Sequence, residues 1–410
     1  MSWCLFDWAN SSFPTNVITF IFAAYFIQFV AENPIIGTGQ WGLMQSFAAL
    51  FVAFLSPILG SIADHSGHQK KWLFFCTLVC IGSVFMLGDI RPNSSQIFLA
   101  LSLVFLGILG FEFGMVFYNS FLAKISPPGM IGIVSGFGWG FGYFGGLASL
   151  YLIYTLFVTP NAFQAEHIPN MMPVMSFVAC WFLLFSLPFF FFVKESVLKT
   201  RLKISRSFLE GIRSFVSFIF TLKKYKQILL FLLARMLYAD GLATLFIFGG
   251  IFASTVFSLQ IGEIIIFGIL INITAGIGSL AFSFLDMKFG SKKVILVSLA
   301  FLICLCVLLF FSTNEKSFWL LGVPLGFFIG PVQASSRALL AKMAPRKMST
   351  RFFGIFAFSG KATSFLGPAL VAWVTIYFDN ARAGMIVIIV FLVLGYLLLS
   401  RVKKLNSANA

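Results

Sequence analysis

Twelve stretches of mostly apolar residues, each long enough to cross a bilayer as a helix, recur along the whole chain. They lie near residues 9–30, 41–63, 72–88, 97–118, 132–157, 172–193, 228–251, 262–284, 294–312, 318–340, 354–377 and 384–400. A helix needs about 20 such residues to span the hydrocarbon. In lipid the backbone must satisfy its own hydrogen bonds, which leaves helices or closed barrels. The short alternating segments of a barrel are absent, so the expected fold is all-α with twelve transmembrane helices. Composition agrees: 60% of the 410 residues are hydrophobic and only 10% are charged, too few charges to cover a water-soluble surface, where about 25% is usual. The first apolar run has no basic leader and holds Asp7, Asn10 and Pro14, unlike a cleavable signal.

Charge placement sets an orientation. With loops assigned to alternate sides, 22 of the 28 Lys and Arg residues fall on the side that carries both termini. Arg91, Lys316 and Arg382 fall on the other, while Arg235, Arg337 and Lys361 lie inside spans. The positive-inside rule makes both termini cytoplasmic, and a bacterial inner membrane is the expected location. The net charge of +15 then reflects topology and attraction to anionic headgroups, with no nucleic-acid partner. The six cysteines form no CxxC pair and read as small buried hydrophobes. His65 and His68 lack a third ligand for a metal, and no motif calls for a cofactor.

The longest polar segment, residues 194–227, divides the chain into an N-terminal bundle (1–193) and a C-terminal bundle (228–410), each of six helices. Within it Ile204, Phe208, Ile212, Phe215 and Ile219 recur at helical spacing opposite Arg206 and Arg213, the pattern of an amphipathic helix on the inner leaflet or of a plain linker. The halves repeat each other. Ala123-Lys124-Ile125-Ser126-Pro127 matches Ala341-Lys342-Met343-Ala344-Pro345 at an offset of 218 residues, which also brings Gly136 onto Gly354 and Gly142 onto Gly360. Asp64 and Asp286 correspond at an offset of 222. Two pseudo-symmetric six-helix bundles are an architecture of secondary transporters, with substrate between the repeats near the midplane.

The loop after the second span reads GSIADHSGHQKK, with Gly60, Asp64, Gly67, Lys70 and Lys71. Glycine permits close helix approach, the acid can cap a neighbouring helix N-terminus, and lysines can stay among headgroups. The loop resembles that of the major facilitator superfamily, and Asp286, Gly290, Lys292 and Lys293 form a second copy with one more residue between acid and glycine. The resemblance implies that Gly60, Asp64, Gly67, Lys70, Lys71, Asp286 and Gly290 serve gating. LFDWANSSF (5–13), SPPGMIGIVSGFGWGFGYFGG (126–146), LYADGLATL (237–245) and GPVQASSRALLAKMAP (330–345) together resemble the vacuole-effluxer-like branch, whose fungal members export amino acids from the vacuole. Gly140-Phe141-Gly142-Tyr143-Phe144-Gly145 satisfies GxGxxG, but a dinucleotide fingerprint needs a preceding strand. In an apolar span Gly138, Gly142 and Gly146 read instead as close helix packing.

Ionisable groups at bilayer depth are costly and usually face a cavity or partner. Glu112 falls in the fourth span, Arg235 and Asp240 in the seventh, and Gln333 and Arg337 on one face of the tenth. The superfamily resemblance makes spans 1, 4, 7 and 10 cavity-lining, so Asn10, Asn16, Glu112, Arg235, Asp240, Gln333 and Arg337 are the candidates for substrate binding or coupling. Arg235 and Asp240, five positions apart and roughly 140° around a helix, are poorly placed as a pair and need other partners. Arg337 and Asp7 are near enough to the inner interface for their side chains to reach headgroups. Lys361, in span 11, is suited to a salt bridge between spans.

These observations predict a secondary transporter of a small polar organic solute, an amino acid or related zwitterion, working by alternating access as a monomer in the lipid bilayer and coupled to an ion, the proton. No P-loop is present to make ATP the driver. An enzyme is disfavoured by the absence of HExxH and GxSxG. A non-transporting receptor or scaffold, or an exporter of a different metabolite or drug, are the alternatives.

Overall fold

The computed structural model describes residues 1–157, 170–195, 213, 217, 218, 220 and 222–403; Ile204, Phe208, Ile212, Phe215 and Ile219 lie outside the described residues. The described chain is helical and contains no strand. Twelve helices have the length and apolarity to cross a membrane: α1 (Ser2–Val30), α2 (Pro34–Ser66), α3 (Gln69–Leu87), α4 (Ser94–Ile125), α5 (Ile131–Phe157), α6 (Met171–Phe192), α7 (Leu222–Phe257), α8 (Gly262–Phe289), α9 (Ser291–Phe311), α10 (Glu315–Met343), α11 (Arg346–Phe378) and α12 (Ala381–Ser400). The connections are closed by local chemistry. The side chains of Asn170, Asn314 and Asn380 accept from the first turns of α6, α10 and α12, the ordinary work of an N-cap. Gly67, Gly129 and Gly290 turn the chain with positive φ, at 62°, 78° and 87°, where a side chain would be strained.

Helices α1 and α11 depart from the α ladder within the span. In α1 the stretches Pro14–Phe20 and Phe26–Val30 are π-helical. There Ile21 N–H reaches back five residues to Asn16 O at 3.0 Å, and Ala31 N–H to Phe26 O at 2.9 Å. The proline that opens the first stretch has no N–H to give the ladder, and such bulges are frequent at functional sites. In α11, a helix over Ser349–Lys361 stops and another resumes at Leu366–Phe378. Between them Ser364 N–H bonds Lys361 O at 3.4 Å and Leu366 N–H bonds Thr363 O at 2.8 Å, three-residue steps in place of the α ladder.

By internal contact the molecule forms two compact units. The first comprises the described residues of Met1–Val52, Gly67–Tyr118 and Phe141–Arg201. In it α1 packs on α6 and α3 on α6. Trp3 stacks on Tyr118 with ring centroids 4.5 Å apart, Trp3 Nε1 donates to Tyr118 O, and Tyr118 Oη donates to Trp3 O at 2.8 Å. Gly142, Gly145 and Gly146 of α5 lie against the backbone of α1. A Cβ on Gly145 would stand 2.5 Å from Trp8 O, and one on Gly146 would stand 2.5 Å from Thr15 Oγ1.

The second unit comprises Ala53–Ser66, Asn119–Gly140 and the described residues of Leu202–Ala410. Its frame is the pairing of α8 with α10, α7 with α12 and α9 with α10. The α8–α10 crossing is backbone on backbone: Gly278 lies under Phe327 O, Gly326 against Ile271 O and Gly330 against Ala275 O. Small residues of this kind let helices approach in lipid, where apolar burial alone gives no preference between helices.

Candidate functional site

The predicted polar residues of the first unit lie along α1 and α4. Asn10 is buried and its Nδ2 donates to Met115 Sδ at 3.3 Å. Asn16, within the first π-helical stretch, is fully buried; its Nδ2 donates to Ser12 O at 2.9 Å and to Ser149 Oγ at 2.8 Å. Its Oδ1 is buried without a hydrogen-bond partner among the described residues. Glu112 is partly exposed on α4. Asp7, expected to reach toward headgroups, is buried, and the Cβ that Gly142 lacks would lie against its carbonyl.

Lys70 ties the same unit together. Its Nζ donates to Val193 O at 2.6 Å and its N–H to Glu195 Oε1 at 3.0 Å, so the lysine that opens α3 closes the C-terminal end of α6. Lys292, at the start of α9 in the second unit, does the same for α12, donating to Ser400 O at 2.8 Å and Val402 O at 2.6 Å. A cation at exposed C-terminal carbonyls satisfies both the orphan acceptors and the helix dipole. Lys71 is exposed.

Asp64, at the end of α2, is 8% exposed. Its Oδ1 accepts from Thr350 N–H at 3.1 Å and its Oδ2 from Arg351 N–H at 2.8 Å. Both donors belong to the first turn of the Ser349–Lys361 helix, which has no side-chain cap of its own. A carboxylate at that position meets two orphan N–H groups and the positive end of the dipole. Gly60 makes the approach possible, because a Cβ there would lie 2.5 Å from Thr350 O; Gly354 does so from the other side, against Ser56 O and Pro57. The Arg351 guanidinium rests over Phe218, its Cζ 4.8 Å from the ring centroid, and its Nη2 lies 3.4 Å from His65 Nδ1.

Asp286, at the end of α8 and 1% exposed, has different partners. Lys342 Nζ and Ser291 Oγ donate to its Oδ1 at 2.6 and 2.9 Å. The carboxylate also stands where a Cβ of Gly132, in the first turn of α5, would be. Farther along α5, Gly136 presses on Ser283 and Gly140 on Leu280.

On α10, Arg337 does not extend toward headgroups; it is 1% exposed. Its Nε donates to Ser135 Oγ at 3.0 Å, its Nη2 to Ser135 O at 2.8 Å and its Nη1 to Asn119 Oδ1 at 3.3 Å. It also lies over Trp139, so one arginine fastens α10 to the end of α4 and the start of α5. Gln333, one turn earlier, is half-buried. On α7, Arg235 turns to α11, donating to Phe356 O at 2.6 Å and Ser359 Oγ at 2.8 Å, with its Cζ 3.4 Å from the Phe356 ring centroid. Asp240 takes another direction. It is 1% exposed, and neither carboxylate oxygen has a hydrogen-bond partner among the described residues.

Sequence reasoning missed Asn119, Ser135, Phe356, Ser359, Thr363 and Gly132. For Gly132 a signal existed, since the 218-residue offset that pairs Gly136 with Gly354 also sets Gly132 opposite Thr350.

Solved structures place the fold among major facilitator transporters. A human organic anion transporter, MFSD10 (TETRAN), matches with a TM-score of 0.77 at 14% identity, over 97% of this chain and 98% of that one. The transporter FucP in its outward conformation matches with a TM-score of 0.75 at 14% identity, over 98% of both chains. The chain also matches the family described as vacuole effluxer Atg22-like over residues 38–128 and 130–410, and it belongs to that family. An uncharacterized MFS-type transporter, YxiO, of Bacillus subtilis is 29% identical over 421 residues, covering all of this chain and 95% of that protein. Autophagy-related protein 22 of Kluyveromyces lactis is 23% identical over 377 residues, covering 85% of this chain and 75% of the relative. The protein is thus a multi-pass membrane transporter of the major facilitator superfamily and not an enzyme.

Proposed function

We propose that this transporter moves a small polar organic solute, an amino acid or related zwitterion, by alternating access coupled to a proton gradient, as a monomer in a bacterial inner membrane with both termini cytoplasmic. The 22-to-3 placement of basic residues supports the orientation. The observation that supports alternating access is the pair of buried acids at the ends of α2 and α8, each set against the first turn of a partner helix. In this reading Asp64 and Asp286, with Gly60, Gly67, Gly290, Lys70 and Lys71, hold one conformation of the cycle and do not touch solute. Asn10, Asn16, Glu112, Arg235, Asp240, Gln333 and Arg337 supply solute binding and coupling. Arg235 and Arg337 act through the helices they fasten, because their guanidinium groups already bond protein oxygens.

Comparing untargeted metabolites in cells with and without the protein tests the solute class. An amino acid or zwitterion should change its distribution across the membrane; a change confined to uncharged or purely anionic compounds would contradict it.

A further inference from the structure

Asp240 stands apart from the other charged residues described above. Both of its oxygens are buried without a hydrogen-bond partner among the described residues, and so is the hydroxyl of Thr363, which together with Arg235 acts on that carboxylate. Thr363 lies within the break of α11, just beyond the C-terminal end of the Ser349–Lys361 helix, where the dipole is negative and carbonyls are released from the ladder. Arg235 does not neutralise the acid by contact, because its guanidinium is engaged with Phe356 O and Ser359 Oγ. The helices close tightly on either side. A Cβ on Gly360 would lie 3.0 Å from Arg235 Nη1, and Gly367 lies against Thr244 and Asp240 O.

A desolvated carboxylate requires a compensating positive charge or a proton, and both oxygens of this one are buried without a hydrogen-bond partner among the described residues. We propose that Asp240, with the Thr363 hydroxyl at the break in α11, is a binding site for a small monovalent cation, a proton or Na+. The inference deepens the transporter reading, on which it rests for its purpose: it assigns the coupling ion to Asp240 and not to Glu112, which is partly exposed. Of the charged and titratable groups on the neighbouring elements, Arg235 on α7 acts on the carboxylate, Tyr238 on α7 sets its hydroxyl against Ser336 of α10, and Lys361 stands two residues before Thr363; α12 presents Phe391 and Leu392 to the neighbouring Gly241. Ends of broken helices hold coupling ions in other transporter folds, and the same physics applies here.

The test uses the purified full-length chain in detergent. Its melting temperature is followed while NaCl replaces choline chloride at fixed pH, and then from neutral to mildly acid pH in choline alone. A sodium site predicts stabilisation on the first arm, with the midpoint weakened about tenfold in Thr363→Val and restored in Thr363→Ser. A proton site predicts stabilisation by acid on the second arm. Either response should vanish in Asp240→Asn. Identical behaviour of wild type and Asp240→Asn on both arms would overturn the site. Should Asp240→Asn fail to fold, wild type suffices: dicyclohexylcarbodiimide should modify Asp240, located by peptide mass, with Na+ or raised pH protecting it, and the absence of any such protection would overturn the proposal. A cation response without transport of any solute would refute the transporter reading and uphold the site, whereas transport without a cation response at Asp240 would refute the site alone.

Discussion

Asp64 and Asp286 occupy corresponding loops and meet corresponding helices, yet they are satisfied by different chemistry. Asp64 is held by two backbone N–H groups of α11. Asp286 is held by Lys342 at the end of α10 and by Ser291 at the start of α9, and it abuts α5 where that helix has a glycine. Both sets join different helices: the first ties α2 to α11 and must break if those separate, whereas the second ties α8 to α10 and the start of α9, all in the C-terminal half of the chain, and can survive a separation of α8 from α5. In the proposed cycle both acids hold one conformation: the Asp64 contact with α11 is the one to release, while the Asp286–Lys342 pair stays made as the contact with Gly132 opens.

The largest effect is expected at Gly132. A valine there puts its side chain into the Asp286 carboxylate and displaces it from Lys342, which should cost about 3 kcal/mol by overpacking and lower the melting temperature sharply. Thr350→Ala, at the equivalent point of α11, should cost about 1 kcal/mol or less. Equal losses at the two positions would erase the distinction between them.

Lys342→Met comes next. It leaves a buried acid without its cation, but Lys342 is 30% exposed and solvent screens the pair, so about 2 kcal/mol is expected in place of the larger loss for a fully buried pair. The repeat-equivalent Lys124→Met should cost less, because Asp64 retains both of its backbone donors. A greater loss from Lys124→Met than from Lys342→Met would reverse the assignment.

Asp64→Asn removes the charge and keeps an acceptor, so about 1 kcal/mol of charge–dipole stabilisation is expected to go. Hydrogen exchange should then rise at Thr350 and Arg351 and stay unchanged at Gly132. The smallest effects belong to Lys70→Met and Lys292→Met, about 0.5–1 kcal/mol each. They should be equal within error, because both lysines close a helix end in the same way; a loss at only one would show that the repeat has diverged there.

Much of this was legible in the sequence. The spans follow from length and apolarity, and the Asp-Gly-Lys loops marked two acids that the structure buries against neighbouring helices. The break in α11 had a signal that the apolar run concealed: Gly360-Lys361 precedes Ala362-Thr363-Ser364-Phe365 and Gly367-Pro368 follows it, and Pro368 has no N–H to give the carbonyl of Ser364. The five-residue spacing of Arg235 and Asp240 correctly denied an intrahelical pair, yet the partner that Arg235 found is largely a backbone carbonyl, which leaves no mark on side-chain pattern. Arg337 read as a residue able to reach headgroups because of its depth alone. Its burial depends on Asn119 and Ser135, more than 200 residues away in sequence, a tertiary fact that periodicity does not carry.

In the proposed mechanism the molecule cycles between conformations to carry an amino acid or related zwitterion, with the Asp64 contact made and broken in each turnover. The most direct measurement is release of a mixture of amino acids from proteoliposomes, comparing wild type, Asp64→Asn and protein-free vesicles. At least one amino acid should leave faster with wild-type protein than without it, and Asp64→Asn should change that rate several-fold while leaving the half-saturating concentration in place. Release no faster than from protein-free vesicles, or an Asp64→Asn variant with intact turnover and weakened binding, would contradict the account.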